Sequence, residues 1–165
     1  MVQVLHLVAC CLIVGIAHAA GDDCKVDPYA DAWKSITGPG SGHYLLWKST
    51  SENAMTCFNV SVPTDKTKKP ADYTYGHKEG GTWTSGKGTV NGEGNKIVAT
   101  EGDQQFEATL LYSDNRNCEV TQVGTNDYDL WKHSDARDSD LRCCKKLFED
   151  KTKGKAVRDL QEDCS

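Results

Sequence analysis

The chain has 165 residues and a formal net charge of −5, with a pI near 5.5. That balance argues against a nucleic acid or an anionic membrane surface as partner. The length fits one domain.

Read from the start, residues 2–19 are almost wholly apolar and carry no Asp, Glu, Lys or Arg. Residues 5–16 form an apolar core, and Ala17-His18-Ala19 follows as an A-x-A cleavage pattern. This predicts a secretory signal peptide over residues 1–19 and a single domain over 20–165. The competing reading is a membrane anchor. It is weakened by the shortness of the apolar run and by the small residues directly after it. No later segment is apolar enough to span a bilayer.

The body reads as short strands separated by turn residues. Asp31-Ala32-Trp33-Lys34-Ser35-Ile36 predicts a short helix before them. Strands are predicted over 42–48, 55–62, 71–77, 83–90, 96–100, 105–112, 117–123 and 127–133, with a break at Asn91-Gly92 among others. Residues 145–162 place Leu147, Phe148, Val157 and Leu160 among charges, as an amphipathic helix lying on the sheet would. The fold class is therefore all-β with flanking helices. An eight-stranded antiparallel barrel is favoured, with room inside for one small ligand. An immunoglobulin-like sandwich lacks its Cys–Trp–Cys spacing here.

Of eight cysteines, Cys10 and Cys11 fall in the signal. Cys24, Cys57, Cys118, Cys143, Cys144 and Cys164 remain, an even set that reads as disulfides in a secreted chain. Spacing alone does not choose the pairing, but the neighbours Cys143 and Cys144 are expected to staple two different segments. Metal is not expected, because no C-x-x-C or paired His spacing occurs. Asn59-Val60-Ser61 is an N-glycosylation sequon, which would place Asn59 toward solvent.

Catalytic motifs are missing from the sequence: there is no Gly-x-Ser-x-Gly, His-Glu-x-x-His or P-loop. The expectation is a binder without a cofactor rather than an enzyme. The informative stretch is Cys118-Glu119-Val120 through Asp129-Leu130-Trp131. If residues 117–123 and 127–133 form a hairpin, Glu119 lies opposite Trp131 and diagonal to Asp129, roughly 7–8 Å away at the backbone. Two carboxylates and an indole facing inward would suit an organic cation. Facing outward, they would be ordinary surface charges. Tyr44, Trp47, Tyr73, Tyr75, Phe106 and Tyr112 also fall in predicted strands, where some would project inward and stack on a flat ligand. Trp33 and Trp83 are expected as plugs or rim residues, and His77 and His133 as exposed. Arg116, Arg137, Arg142 and Arg158 lie in loops or the C-terminal region, which disfavours a lipid carboxylate inside the barrel.

The chain resembles the tick salivary lipocalins of the histamine and biogenic-amine-binding family, soft-tick type. The resemblance rests on the Asp31–Ile36 hexapeptide quoted above, the six-cysteine layout, Leu111-Tyr112-Ser113-Asp114 leading into Cys118, and the Cys143-Cys144 doublet. The family's amine motif is Cys-Asp-aliphatic, a spacer, Glu-Leu-aromatic, then Cys. Here Glu119 stands for the Asp and Asp129 for the Glu, so each carboxylate moves by one methylene. The resemblance implies a lipocalin barrel with disulfides Cys24–Cys143, Cys57–Cys164 and Cys118–Cys144. It implies a secreted monomer that sequesters histamine or serotonin. Glu119 and Asp129 would hold the ammonium, and Trp131, Trp47, Tyr44, Tyr112 and Phe106 the ring. Relatives that bind leukotrienes, or complement protein through outer loops, keep those alternatives open.

Overall fold

Asp31 starts the first helix: its carboxylate accepts the Lys34 backbone N–H at 3.0 Å, satisfying a donor that the helix leaves unpaired. The helix, α1, spans Ala32–Thr37 in the computed structural model, which describes residues 24–164. The expected signal peptide lies outside those residues.

The strands that follow are β1 (His43–Ser49), β2 (Thr56–Ser61), β3 (Ala71–Glu79), β4 (Thr82–Glu93), β5 (Lys96–Glu101), β6 (Gln104–Ser113), β7 (Cys118–Val123) and β8 (Asp127–His133). Helix α2 (Arg142–Lys151) and a short β9 (Arg158–Asp159) complete the chain. Each of β2 to β7 pairs with its successor, β8 pairs with β1, and β1 pairs back to β2. The result is a closed eight-stranded antiparallel barrel with one added strand, and closure leaves β1 to β8 without an open sheet edge.

The closing seam is short. β1 and β2 pair only through His43, Tyr44 and Leu45 against Ser61, Val60 and Asn59. Beyond that point the C-terminal segment fills the gap. β9 pairs with β1, Leu160 N–H donates to Trp47 C=O, and Cys57 N–H donates to Leu160 C=O. Gln161 Nε2 donates to Leu46 C=O on one side, at 2.8 Å, and to Phe58 C=O on the other, at 3.4 Å.

Two sequence expectations need correction. Residues 145–162 are not one helix. α2 ends at Lys151, because no apolar residue continues its stripe between Phe148 and Ala156, and Gly154 adopts a positive φ of 77°. Leu160 is buried in the seam while Val157 is exposed. Asn91-Gly92 is not a break either, since β4 runs through to Glu93. Gly92 is small because α1 lies against it: a Cβ there would collide with the backbone of Ala32 and Trp33.

α2 packs outside the barrel. Leu141, Cys144, Leu147 and Phe148 cover Leu111, Cys118, Val120 and Leu130 of the wall. The disulfides are Cys24–Cys143, Cys57–Cys164 and Cys118–Cys144, so the doublet does staple two segments. Two of them span 119 and 107 residues, while Cys118–Cys144 spans only 26. In the chain-entropy model the longer loops give about 4.7 kcal/mol each and the shorter about 3.5.

Candidate functional site

The β7–β8 register places Glu119 opposite Trp131 and Thr121 opposite Asp129. The alternate residues Val120 and Leu130 lie beneath α2. The outer face is thus occupied by the helix, and the acids do not point to solvent. Glu119, Thr121, Asp129 and Trp131 all line an internal cavity of about 300 Å³. The remaining wall is mostly apolar or aromatic, including Ile36, Tyr44, Leu46, Phe58, Val60, Tyr73, Val90 and Ile97. Four carboxylates line it, Glu101, Glu107, Glu119 and Asp129, and the lining contains no Lys, Arg or His.

Glu119 sits at the end closed by α1 and is only 6% exposed. Its Oε2 lies 2.5 Å from Ser35 Oγ, which lies 2.6 Å from Ser113 Oγ. A hydroxyl has one proton. When Glu119 is ionised, Ser35 therefore donates to it and accepts from Ser113, which in turn accepts the Asn115 N–H at 2.8 Å. Burial pushes the Glu119 carboxyl up to about 7, against the lowering effect of the Ser35 hydrogen bond, and Asp114 adds a further push upward. Burial likewise raises Asp129 to about 6, offset in part by its hydrogen bond with Ser49. No cationic group is among those that shift either carboxyl. An unpaired buried carboxylate is costly, so both groups are poised to accept a cation.

Aromatic rings form an arc above the acids. Trp131 meets Phe58 edge-on at 5.9 Å, Phe58 lies 6.1 Å from Tyr75, and Tyr75 lies 6.1 Å from Tyr73. Trp131 Nε1–H donates to Thr121 Oγ1 at 3.2 Å, which leaves the ring face as the part free to meet a ligand. Tyr73 hydroxyl donates to Glu101 at 2.6 Å, and Tyr75 is also hydrogen-bonded to that carboxylate. Tyr44 is buried in the wall beside Glu119, with its hydroxyl donating to Ser35 C=O at 3.3 Å. Phe106 lines the mouth and is 48% exposed.

Two expected ring residues face the other way. Trp47 and Tyr112 pack against the outer cluster under α2, not the cavity. Trp47 is three residues from Tyr44, so alternation turns it outward, where Lys48, Lys132 and Lys145 hold their amines 5.1–5.7 Å from its ring. Tyr112 shares parity with Phe106, but a bulge between Leu110 and Tyr112 flips it. His133 is not exposed either. It is buried, and Nε2 lies 2.8 Å from Ser41 C=O, which can only accept, so that nitrogen carries the proton. His77 is half-buried on β3. Asn59 is half-buried on β2, its Nδ2 donating to Cys57 and Gly76 carbonyls.

Sequence reasoning missed Ser35 and Ser49, which hold the two acids, and Phe58, Glu101 and Glu107 in the wall. Phe58 alone carried a signal, as an aromatic inside a predicted strand.

The model of a family described as tick histamine binding protein matches residues 21–165. The chain belongs to the tick histamine-binding family. Within reach of that family, it is 29% identical to moubatin of Ornithodoros moubata over 157 residues, covering 93% of this chain and 91% of moubatin. It is 26% identical to the male-specific histamine-binding salivary protein of Rhipicephalus appendiculatus, covering 87% and 84% of the two chains. Among solved structures, the crystal structure of the AM182 serotonin complex superposes with a TM-score of 0.75 at 30% identity, over 86% of this chain and 95% of that one. The siderocalin Ex-FABP matches at a TM-score of 0.50 and 12% identity, over 74% of this chain and 90% of that one, which shows the lipocalin-like barrel alone. The histamine-binding family uses this barrel as a ligand-binding scaffold.

Proposed function

We propose that this member of the histamine-binding family is a secreted salivary protein that sequesters a vasoactive biogenic amine, histamine or serotonin, in its barrel. The observation that carries the reading is the cavity's charge: four lining carboxylates, two of them deeply buried, and no lining base. An amine at neutral pH is a cation, and it leaves water at low cost only where a carboxylate takes over its solvation. Glu119 or Asp129 supplies that charge, and the faces of Trp131 and its aromatic neighbours hold the ring. A leukotriene carboxylate finds no counter-charge in this wall. The serotonin complex of AM182 and the histamine-binding salivary protein of R. appendiculatus support the same reading. By removing such a mediator, the protein would suppress host inflammation and haemostasis.

The test is calorimetric titration of the oxidised, secreted protein with histamine, serotonin and a leukotriene. Amine binding with no leukotriene uptake is the expected result. Uptake of the lipid alone would replace the reading. Glycosylation at Asn59 belongs to the same proposal and would have to precede folding, since in the fold Asn59 Nδ2 donates to the Cys57 and Gly76 carbonyls. Peptide mass mapping before and after enzymatic glycan removal checks it, and an unmodified Asn59 in protein secreted from insect cells would remove it.

A further inference from the structure

We propose that Arg158 is a latch that holds the loop between β1 and β2 across the mouth of the cavity, and so sets how fast a ligand leaves. The inference rests on the proposed function only for the identity of the ligand, since the latch acts on whatever the cavity holds.

The Arg158 Nη1 donates to three carbonyls of one loop: Ser51 at 3.3 Å, Glu52 at 2.8 Å and Ala54 at 3.0 Å. One nitrogen with two protons serves three acceptors, so at least one proton is shared. Three carbonyl oxygens converging on one point repel each other unless a cation sits among them. The Arg158 guanidinium supplies that cation. Ser51, Asn53, Ala54 and Met55 of the same loop line the cavity, and Met55 is exposed at its mouth.

The latch is joined to the acid site through one row of the sheet. Arg158 pairs with Ser49 on β1, and Ser49 pairs with Asp129 on β8. The Ser49 hydroxyl accepts the Ser51 N–H at 3.0 Å and is hydrogen-bonded to Asp129. Loop position and carboxylate position therefore share one fully buried serine. The neighbouring turn is strapped from the same tail, with Lys155 Nζ donating to Asn126 C=O at 2.8 Å. Arg158 is a positioning residue: it lines no part of the cavity and acts through the loop.

The experiment uses the full oxidised protein with Arg158→Gln and Arg158→Lys. Hydrogen exchange is followed across residues 50–55, and dissociation rates are measured for serotonin and for Nile red, a neutral probe of the apolar cavity. In Arg158→Gln, exchange in 50–55 and both off-rates should rise about tenfold or more, as loss of hydrogen bonds from a charged donor implies. The rest of the barrel should keep its protection, because Cys57–Cys164 still anchors the tail. Arg158→Lys, with three ammonium protons, should fall between. Unchanged exchange and off-rates in Arg158→Gln overturn the latch, as does a uniform loss of protection through all strands. If the parent takes up Nile red but neither histamine nor serotonin, the amine reading fails and the Nile red rates still decide the latch. If Arg158→Gln does not fold, Arg158→Lys decides by the same readouts.

Discussion

Glu119 and Trp131 occupy the same rung of the β7–β8 ladder, and the indole there already donates its N–H to Thr121. The pair thus presents an acceptor and a bare π face to one volume. An ammonium can meet the first while the ring attached to it meets the second.

Replacing the acids tests that division of labour. Glu119→Gln and Asp129→Asn keep size and remove charge. Charge-assisted hydrogen bonds contribute about 1.5–3 kcal/mol each. Each variant should therefore weaken amine binding roughly ten-fold to a hundred-fold by calorimetry. Full parental affinity in both variants would remove these two acids from the site.

Affinity should depend steeply on pH. The empty protein holds Glu119 near 7 and Asp129 near 6. Below that range both carboxyls are protonated and offer no charge to a cation. Binding should strengthen from pH 5 to pH 8 and release protons to the buffer when measured near pH 7. Serotonin is the cleaner probe, because the imidazole of histamine itself titrates in this interval. An affinity that is flat across the interval would contradict the raised carboxyls.

The same burial has a cost in the absence of ligand. A carboxyl whose folded-state pKa is raised stabilises the fold fully below its unfolded value, and that contribution is lost as pH rises through the folded one. For Glu119 the window runs from 4.5 to about 7, and for Asp129 from 3.8 to about 6. The Glu119→Gln, Asp129→Asn double variant should therefore exceed the empty parent in urea stability at pH 7.5 by about 2–4 kcal/mol. The gap should close near pH 4. Equal stability at both pH values would show that the acids are not desolvated.

The two tryptophans of neighbouring strands should separate cleanly. Trp131→Phe keeps a ring but enlarges the cavity and frees Thr121, so amine affinity should fall several-fold. Trp47→Phe changes only the outer face beneath its three lysines and should leave affinity within about two-fold. A reversed order in fluorescence titrations would place Trp47 inside after all.

The fold was largely readable because strand alternation and turn residues repeat at short range. The pairing of Glu119 with Trp131 followed from one hairpin of local contacts. What could not be read depended on partners far along the chain. The bulges that turn Ser49 inward and Tyr112 outward arise from how β1 fits β8 and β6 fits β7. Ser35 reaches Glu119 across 84 residues, so nothing beside either residue announces the contact. Gly92 looks like a turn until α1 is placed on it. The amphipathic pattern of the tail fitted a helix, but burial of Leu160 between β1 and β2 wins over continuing α2 past Lys151.

Because residues 158–164 fill the gap between β1 and β2, the barrel wall is completed by a piece of chain made after all eight barrel strands. Without that piece, β1 and β2 meet only along residues 43–45 of β1. The Cys57–Cys164 disulfide, made when an external oxidant takes two electrons from the paired thiols, then fixes that piece to the start of β2. Completion of the barrel wall and oxidation of those thiols therefore act on the same seven residues of the tail.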